Sequence, residues 1–402
     1  MRANHRVSLG MLLGTMLGML LGGSITTSSV TAQTSTSSQS ERQKAMLLEQ
    51  QGKNAEAESA WRAVLNVRPA NAEAFAHLGL LEARQEHYTE AIASYRKALV
   101  LDPAFPSLRL NLGLAFFKAG QMKEAVLEFT PLLKGQPAAS PEAQRLTILL
   151  GMAHYGLGEY AAASPYLKQA AARDTQNLQM RLALAHSCLW SKQYQCVLDT
   201  YHEILLLNAE SAEADMLAGE AEDELKNPSG AIEQFRAAVR ADPKQPEVHF
   251  GLGYLLWTRR QYPEAVAEFH AELANNPNHV QAIAYLGDAE LQLSHPEAAI
   301  EFLRKATKLG PQLPLPHLDL GIAYADQGKQ EEALAEMREA TRLDPEDANG
   351  HWHLGRLYRS LGKKDEAKVE FDKASNIHKA TNDALKEKMS GSEKPDAAPA
   401  TP

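Results

Sequence analysis

A proline recurs along this chain at intervals of 34 residues. It stands at Pro69, Pro103 and Pro137, and then at Pro243, Pro277, Pro311 and Pro345. The two groups share one register if four residues were inserted once, because Thr175 and Ala209 then take the two missing positions and Lys379 takes the last. A fixed period of this length indicates stacked copies of one supersecondary unit. Ten copies leave no room in the chain for a separate catalytic domain.

Each copy has an apolar stripe upstream of its proline. Twelve residues before the proline stands a small or short residue, and eight before it stands a large apolar one, as in Ala91 with Tyr95 or Ala265 with Phe269. An alanine often follows five residues before the proline, as at Ala98. Spacings of four and three place these side chains on one face of a helix. The proline then ends the helix, because it lacks an amide donor.

A second helix is predicted in the first half of each copy, where a leucine–glycine pair recurs. The pairs are Leu78-Gly79, Leu112-Gly113, Leu150-Gly151, Leu252-Gly253, Leu286-Gly287, Leu320-Gly321 and Leu354-Gly355. Glycine inside a helix costs about 1 kcal/mol relative to alanine. Seven such glycines therefore indicate that another helix packs closely against them. Each copy is predicted to be a helical hairpin, and the fold class to be all-α.

This pattern resembles the tetratricopeptide repeat, in which Leu-Gly, an aromatic residue, Ala, Phe or Tyr, Ala and Pro follow in this order. The resemblance covers about ten copies, from near Ser38 to near Asn382. It implies a right-handed α-solenoid of helix–turn–helix hairpins. One position departs from the family, because its tryptophan, four residues before the glycine, is replaced mostly by polar residues, namely Arg109, Arg181, His249, His317 and His351.

The repeat register predicts the domain boundaries. Residues 41–378 form the array, with copies that end near residues 69, 103, 137, 175, 209, 243, 277, 311, 345 and 379. Residues 33–40 are predicted to be a linker, residues 379–390 a capping helix, and residues 391–402, rich in Ser, Pro and Ala, a disordered tail. Pro131, Pro165 and the four inserted residues near Ala138 favour a bend or hinge between copies three and four. The alternative is a locally tolerated irregularity.

Residues 1–32 have the order of a secretory signal peptide. Arg2, His5 and Arg6 precede an apolar segment that ends near Gly23, and Val30-Thr31-Ala32 offers a cleavage site. The alternative is an uncleaved membrane anchor, since Gly10, Gly14, Gly18 and Gly22 suit helix pairing in a bilayer. No Asn-x-Ser/Thr acceptor occurs, which favours bacterial export. We expect a periplasmic protein, or otherwise a secreted or membrane-anchored one.

The net charge of −9 argues against nucleic acid and anionic membranes as general partners. Removal of residues 1–32 would make the chain more acidic, because this segment holds two arginines and no acid. Contact with a membrane is expected only if the N-terminal segment is retained.

The two cysteines, Cys188 and Cys196, flank the turn of the fifth copy. In an oxidising compartment a disulfide across this hairpin is plausible. The alternative is two buried thiols that act as small apolar residues. The sequence leaves both open.

The resemblance implies that the first helices of the copies line a concave groove in which a partner binds. The candidate partner-binding residues on that face are Glu220, Asp223, Phe250, Tyr254, Trp257, Tyr285, Asp288, Asp319, Trp352 and Arg356. Aromatic rings with interleaved carboxylates suit an extended peptide that carries apolar and basic side chains. The alternative is that the rings pack between helices and the acids form a solvated face.

No motif for catalysis, a cofactor or a metal site emerges from the sequence. There is no phosphate-binding loop, Gly-x-Ser-x-Gly, Cys-x-x-Cys or His-Glu-x-x-His. We therefore expect no enzyme activity, no cofactor and no metal. The sequence favours an exported interaction scaffold for proteins or peptides. The alternative is a subunit of a membrane-associated envelope assembly or export complex, held by a retained N-terminal helix.

Overall fold

The structure is a computed structural model that describes the backbone of residues 27–105 and 107–391, and the side chains of residues 39–105 and 107–386. Within these residues every regular element is an α-helix. The chain forms two compact units, divided between Gln136 and Pro137. This boundary falls in the segment for which the sequence favours a hinge, and the hinge itself stays a prediction. The predicted signal peptide, up to residue 26, and the tail after Gly391 lie outside the described residues.

The first unit contains six helices that pair in sequence as three hairpins. They are α1 (Thr27–Gln50), α2 (Asn54–Val67), α3 (Ala72–Arg84), α4 (Tyr88–Leu101), α5 (Leu108–Lys118) and α6 (Met122–Lys134).

The second unit contains fourteen helices, which pair as seven hairpins. They are α7 (Pro141–Gly156), α8 (Tyr160–Arg173), α9 (Leu178–Trp190), α10 (Tyr194–Leu207), α11 (Ala212–Glu224), α12 (Pro228–Ala241), α13 (Val248–Thr258), α14 (Tyr262–Asn275), α15 (Val280–Gln292), α16 (Pro296–Leu309), α17 (Pro314–Asp326), α18 (Gln330–Leu343), α19 (Ala348–Ser360) and α20 (Lys364–Gly391). The all-α solenoid of ten hairpins that the sequence predicts is confirmed.

The close approach predicted at the leucine–glycine pairs is present in both units. A Cβ atom at Gly79 would lie 2.7 Å from a ring carbon of Tyr95, and one at Gly253 would lie 2.7 Å from a ring carbon of Phe269. In each case the ring belongs to the second helix of the same copy and is fully or almost fully buried. Glycine lowers the helix propensity at this position, but it leaves the space in which an aromatic ring of the second helix packs against the first.

Two boundary predictions differ from the structure. Residues 33–40, predicted to be a linker, are part of α1, and residues 379–390, predicted to be a separate capping helix, continue α20 without interruption. Lys379 stands at the position of the repeating proline but can donate its amide within a helix. After Thr175 the chain still turns, because the Asn177 side chain caps the N-terminus of α9. No described helix follows α20 to impose such a turn.

Four of the polar residues at the family's tryptophan position contact a glutamate of the second helix. Arg109 donates to Glu128 at 3.3 Å, and His249 and His317 contact Glu268 and Glu336 at 2.6 Å. His351 contacts Glu370 in the same way at 2.5 Å. The two residues of each pair are 19 apart in sequence. In these copies a polar contact therefore links the two helices where an indole would otherwise pack.

None of the described helices is both long enough and apolar enough to cross a membrane.

Candidate functional site

Four of the five aromatic residues predicted for the groove form one cluster in the second unit. Phe250, Tyr254 and Trp257 lie on one face of α13, and the ring of Tyr285, on α15, packs against all three. Ring centroids are 4.9 Å apart for Tyr285 and Trp257, and 5.3 Å apart for Tyr285 and Tyr254. Tyr254 is the most exposed of the four, at 37%. We call Phe250, Tyr254, Trp257 and Tyr285 the aromatic cluster.

A pocket of about 510 Å³ opens beside this cluster, between α9, α11 and α13. Its apolar lining comes from Leu189, Met216, Phe235, Gly251 and Leu255, its aromatic lining from Trp190, Tyr194, Phe250 and Tyr254, and its charged lining from Lys192, Glu220, Asp223, Glu224 and Glu247. Four carboxylates against one ammonium give the pocket a negative potential. We call it the acidic pocket.

Gly251 explains why the pocket opens in this copy. It lies 26 residues before the repeating proline, where the preceding copy has Leu217 and the following copy has Tyr285. A Cβ atom at residue 251 would overlap the ring of Phe235. The missing side chain therefore leaves the Phe235 ring as part of the pocket wall.

Two of the carboxylates that the sequence predicts for partner binding lie on α11, at the wall of the pocket. Glu220 and Asp223 are one helical turn apart on that helix and both line the pocket. The surrounding groove desolvates the Glu220 carboxylate and raises its pKa, which His186 partly opposes. A cation that enters the pocket would interact favourably with both groups.

Asp288 and Asp319 are buried, whereas the sequence placed them on the groove surface. The indole Nε1 of Trp257 donates to Oδ2 of Asp288, and the amide of Gln292 donates to Oδ1 at 3.4 Å. Burial raises the pKa of both carboxyl groups, and for Asp319 the neighbouring Asp288 charge adds to that shift. The close packing of α15 against α17 covers them, which the periodic pattern alone does not reveal.

Trp352 and Arg356 lie apart from the acidic pocket, on α19. The Arg356 guanidinium stacks over the Trp352 ring, 4.7 Å from its centroid, and both side chains are exposed. The structure therefore gathers the predicted residues of α11, α13 and α15 into one region and leaves these two outside it.

One further cluster combines Glu247, Glu272 and His279, whose side-chain oxygen and nitrogen atoms lie within 4.8 Å of one another. The Nδ1 atom of His279 accepts the amide proton of Ala282 at 3.0 Å, so Nε2 carries the ring proton and donates it to Glu247 at 2.8 Å. A metal ion on Nε2 would displace that proton to Nδ1 and break the bond to Ala282. The geometry fits a helix-capping cluster better than a metal site.

Cys188 and Cys196 form a disulfide, with their Cα atoms 5.8 Å apart. The bond connects the end of α9 to the start of α10. The turn between these helices carries Trp190, Lys192 and Tyr194, all of which line the acidic pocket. The disulfide therefore closes the turn that forms one edge of the pocket.

Loss of the disulfide is expected to destabilise the second unit. The variant with both Cys188→Ala and Cys196→Ala should lose about 2 kcal/mol of unfolding free energy, because an eight-residue loop is no longer constrained in the unfolded chain. Urea unfolding of the oxidised protein measures this difference. Dithiothreitol should reproduce the loss in the wild type and leave the variant unchanged, and an equal response of both proteins would contradict the prediction.

Several pocket residues were not among the candidates from the sequence. They include Lys192, Tyr194, Met216, Phe235 and Gly251. Gly251 was detectable in principle, since alignment of the ten copies shows glycine at this position only in the seventh. Phe235 was assigned to the buried stripe, and only the missing side chain next to it brings its ring to the pocket wall.

Family models match most of the repeat array. A model described as "Tetratricopeptide repeat" matches residues 110–178, 198–246 and 250–314, and another with the same description matches residues 348–379. A model described as "TPR repeat" matches residues 82–120 and 323–362. Together the matches cover more than half of the chain.

The sequence identity between this chain and an individual relative is low. The "Protein CTR9 homolog" of Arabidopsis thaliana is 24% identical over 288 residues, which are 67% of this chain and 25% of that protein. The chain thus spans about a quarter of the length of this relative.

Solved structures also resemble parts of the chain. A structure of MamA has 22% sequence identity and a TM-score of 0.37, and the match covers 41% of this chain and 96% of the MamA chain. YrrB, described as "a TPR protein with an unusual peptide-binding site", has 22% sequence identity and a TM-score of 0.38. The match covers 47% of this chain and 97% of the YrrB chain. PilF of Pseudomonas aeruginosa has 18% sequence identity and a TM-score of 0.45, and the match covers 54% of this chain and 97% of the PilF chain. Such scores support no comparison of sites.

Proposed function

The chain belongs to the tetratricopeptide repeat family, whose arrays are protein-interaction scaffolds, and we propose that it binds an extended peptide with apolar and basic side chains in the acidic pocket. We further propose that it is not an enzyme. The observation that carries the proposal is the composition of the pocket: an apolar wall, exposed rings and four carboxylates against one lysine.

The exposed rings supply the apolar part of recognition. Trp190 is 64% exposed and Tyr254 is 37% exposed, and both line the pocket. Large rigid rings with accessible surface are the usual energetic centres of interfaces. A bulky apolar side chain of the partner would cover them and enter the pocket beside Phe235.

The carboxylates supply the charge selectivity. Glu220, Asp223 and Glu224 follow one another along α11, and Glu247 stands before α13. Opposite charges across an interface accelerate association and exclude partners of the wrong sign. A peptide with lysine or arginine beside its apolar side chain therefore complements the pocket, and an acidic peptide does not.

Fluorescence anisotropy with labelled 12-residue peptides tests the proposal. Each peptide carries one tryptophan in a serine–glycine background, flanked by two arginines, two serines or two glutamates. We expect the arginine peptide to bind most tightly and its affinity to fall as salt is added, because charges near the surface are screened. Trp190→Ala and Tyr254→Ala should each weaken binding about ten-fold.

Trp352→Ala is the matched control, because Trp352 is an exposed ring of the same unit outside the pocket. Equal losses in all three variants, or tightest binding of the glutamate peptide, would contradict the proposal. Self-association that Tyr254→Ala abolishes would instead assign the pocket to a second copy of the chain.

Export is a separate proposal, supported by the order of charge, apolar segment and small residues in residues 1–32. N-terminal sequencing of the protein from its native cell tests it. A chain that begins near Gln33 would support an exported scaffold, and an intact N-terminus would favour the alternative of an envelope assembly held by that segment.

A further inference from the structure

Asp319 carries an oxygen atom that lacks a hydrogen-bond partner. Among the side-chain atoms that the structure describes, its Oδ2 is the one buried oxygen or nitrogen without such a partner. The residue lies on α17 and is 6% exposed. Buried polar groups in proteins are nearly always paired, and an unpaired one reduces stability. A donor that belongs to another molecule would complete this site.

The position of Asp319 connects it to the aromatic cluster. Asp319, Tyr285 and Gly251 each lie 26 residues before the proline of their own copy, so they occupy equivalent places on α17, α15 and α13. Gly251 lines the acidic pocket, and Tyr285 packs against Tyr254 and Trp257. Asp319 therefore continues the same row one copy beyond the cluster.

The two carboxyl groups of Asp288 and Asp319 have no cationic partner within the described residues. Burial raises the pKa of Asp319 and of Tyr285, the charge of Asp288 adds to both shifts, and the charge of Asp319 adds to that of Tyr285. The groups that contact Asp288 are the neutral donors of Trp257 and Gln292. In the described part of the chain, no lysine or arginine forms an ion pair with either aspartate.

We infer that Asp319, together with Asp288, receives one arginine side chain of the bound peptide. The inference rests on the proposed function and specifies its partner. A guanidinium presents several N–H donors in one plane, which suits two neighbouring carboxyl groups. The ring of Tyr285, in the same row, offers a π-face to the cation.

The first experiment compares two peptides that differ only in charge. Both carry one tryptophan and, at a series of spacings, either one arginine or citrulline, its neutral isostere. We expect Asp319→Asn to weaken binding of the best arginine peptide about ten-fold, and to leave the citrulline peptide within about two-fold, as a lost charge-assisted bond would. Asp326→Asn is the matched control, because Asp326 is exposed two turns further along α17. Equal changes for both peptides would overturn the inference.

The second experiment needs no peptide. Ethylguanidinium at millimolar concentration should raise the Tm of the wild type in a saturable way, because it binds the folded state alone. Ethylurea, its neutral analogue, should not, and neither compound should shift the Asp319→Asn variant. The same response in wild type and variant would overturn the inference even if tryptophan peptides bind. A cation response that Asp319→Asn abolishes, with no binding of any peptide, would support the carboxyl site and overturn the peptide-binding proposal.

Discussion

Gly253→Ala should lower the free energy of unfolding of the second unit by about 2–3 kcal/mol, although alanine favours a helix by about 1 kcal/mol over glycine. The added Cβ would lie 2.7 and 2.8 Å from two ring carbons of Phe269, which is fully buried. The ring cannot turn away without disturbing the neighbouring core, because protein interiors are closely packed. Urea unfolding followed by circular dichroism measures the difference.

Gly135→Ala is the control for this prediction. Gly135 follows α6 at φ −84°, and an added Cβ would meet nothing closer than 3.6 Å, so its replacement should change stability by no more than about 0.5 kcal/mol. Partial relief of the Gly253→Ala loss by Phe269→Leu would show that the two positions are coupled. A neutral or stabilising Gly253→Ala would disprove close packing as the reason for the recurring glycine.

His317 should make the second unit less stable as the pH rises through the neutral range. Its Nδ1 faces the Glu336 carboxylate at 2.6 Å and its Nε2 faces the carbonyl of Pro311 at 3.3 Å, so both ring nitrogens need a proton. The hydrogen bond to Glu336 raises the pKa of His317, with smaller contributions from the Pro311 carbonyl and Glu339. This stabilisation is fully present below the unfolded pKa, about 6.5, and is lost as the pH passes the folded pKa.

Two variants test how much the ion pair between His317 and Glu336 contributes to stability. Glu336→Ala should cost about 2–3 kcal/mol at pH 6, because it leaves a buried imidazolium without its partner. The double variant His317→Ile/Glu336→Phe installs the residues that copy eight has at these positions, Ile283 and Phe302, and should cost much less.

Unfolding free energies measured from pH 5.5 to 8.5 test this assignment. Asp319 also lowers stability as the pH rises, because burial raises its pKa, so the informative quantity is the difference between wild type and double variant. That difference should shrink or reverse toward high pH. A difference that does not vary with pH would mean that His317 is neutral throughout.

The repeating residues of the core were predictable from the sequence because the same side-chain contacts recur within each hairpin. Ala265 and Phe269 form part of a buried stripe, Gly253 receives the ring of Phe269, and Pro277 follows the end of the second helix, as predicted. Ten repetitions of one pattern remove the ambiguity that a single apolar segment would leave.

The contacts between histidine and glutamate of paired helices were present in the sequence as a second repeating pattern. His249, His317 and His351 each have a glutamate 19 residues later, whereas Phe75 has Ser94 and Ile283 has Phe302 at that distance. In these five copies a histidine goes with a glutamate and an apolar residue does not, as expected of positions in contact. Their meaning became clear only when the structure placed both side chains against one another.

The sequence by itself determined the repeating unit, the number of copies, the buried stripe and the helix ends that precede the repeating prolines, because these depend on interactions within one hairpin or between neighbouring copies. Only the tertiary structure decided where the array departs from its own repeat: the pocket beside Gly251, the buried carboxyl groups of Asp288 and Asp319, and the turn closed by Cys188 and Cys196. These features arise where side chains from different copies meet. The distance between such copies depends on the packing of whole helices, which the spacing of residues along the chain does not specify.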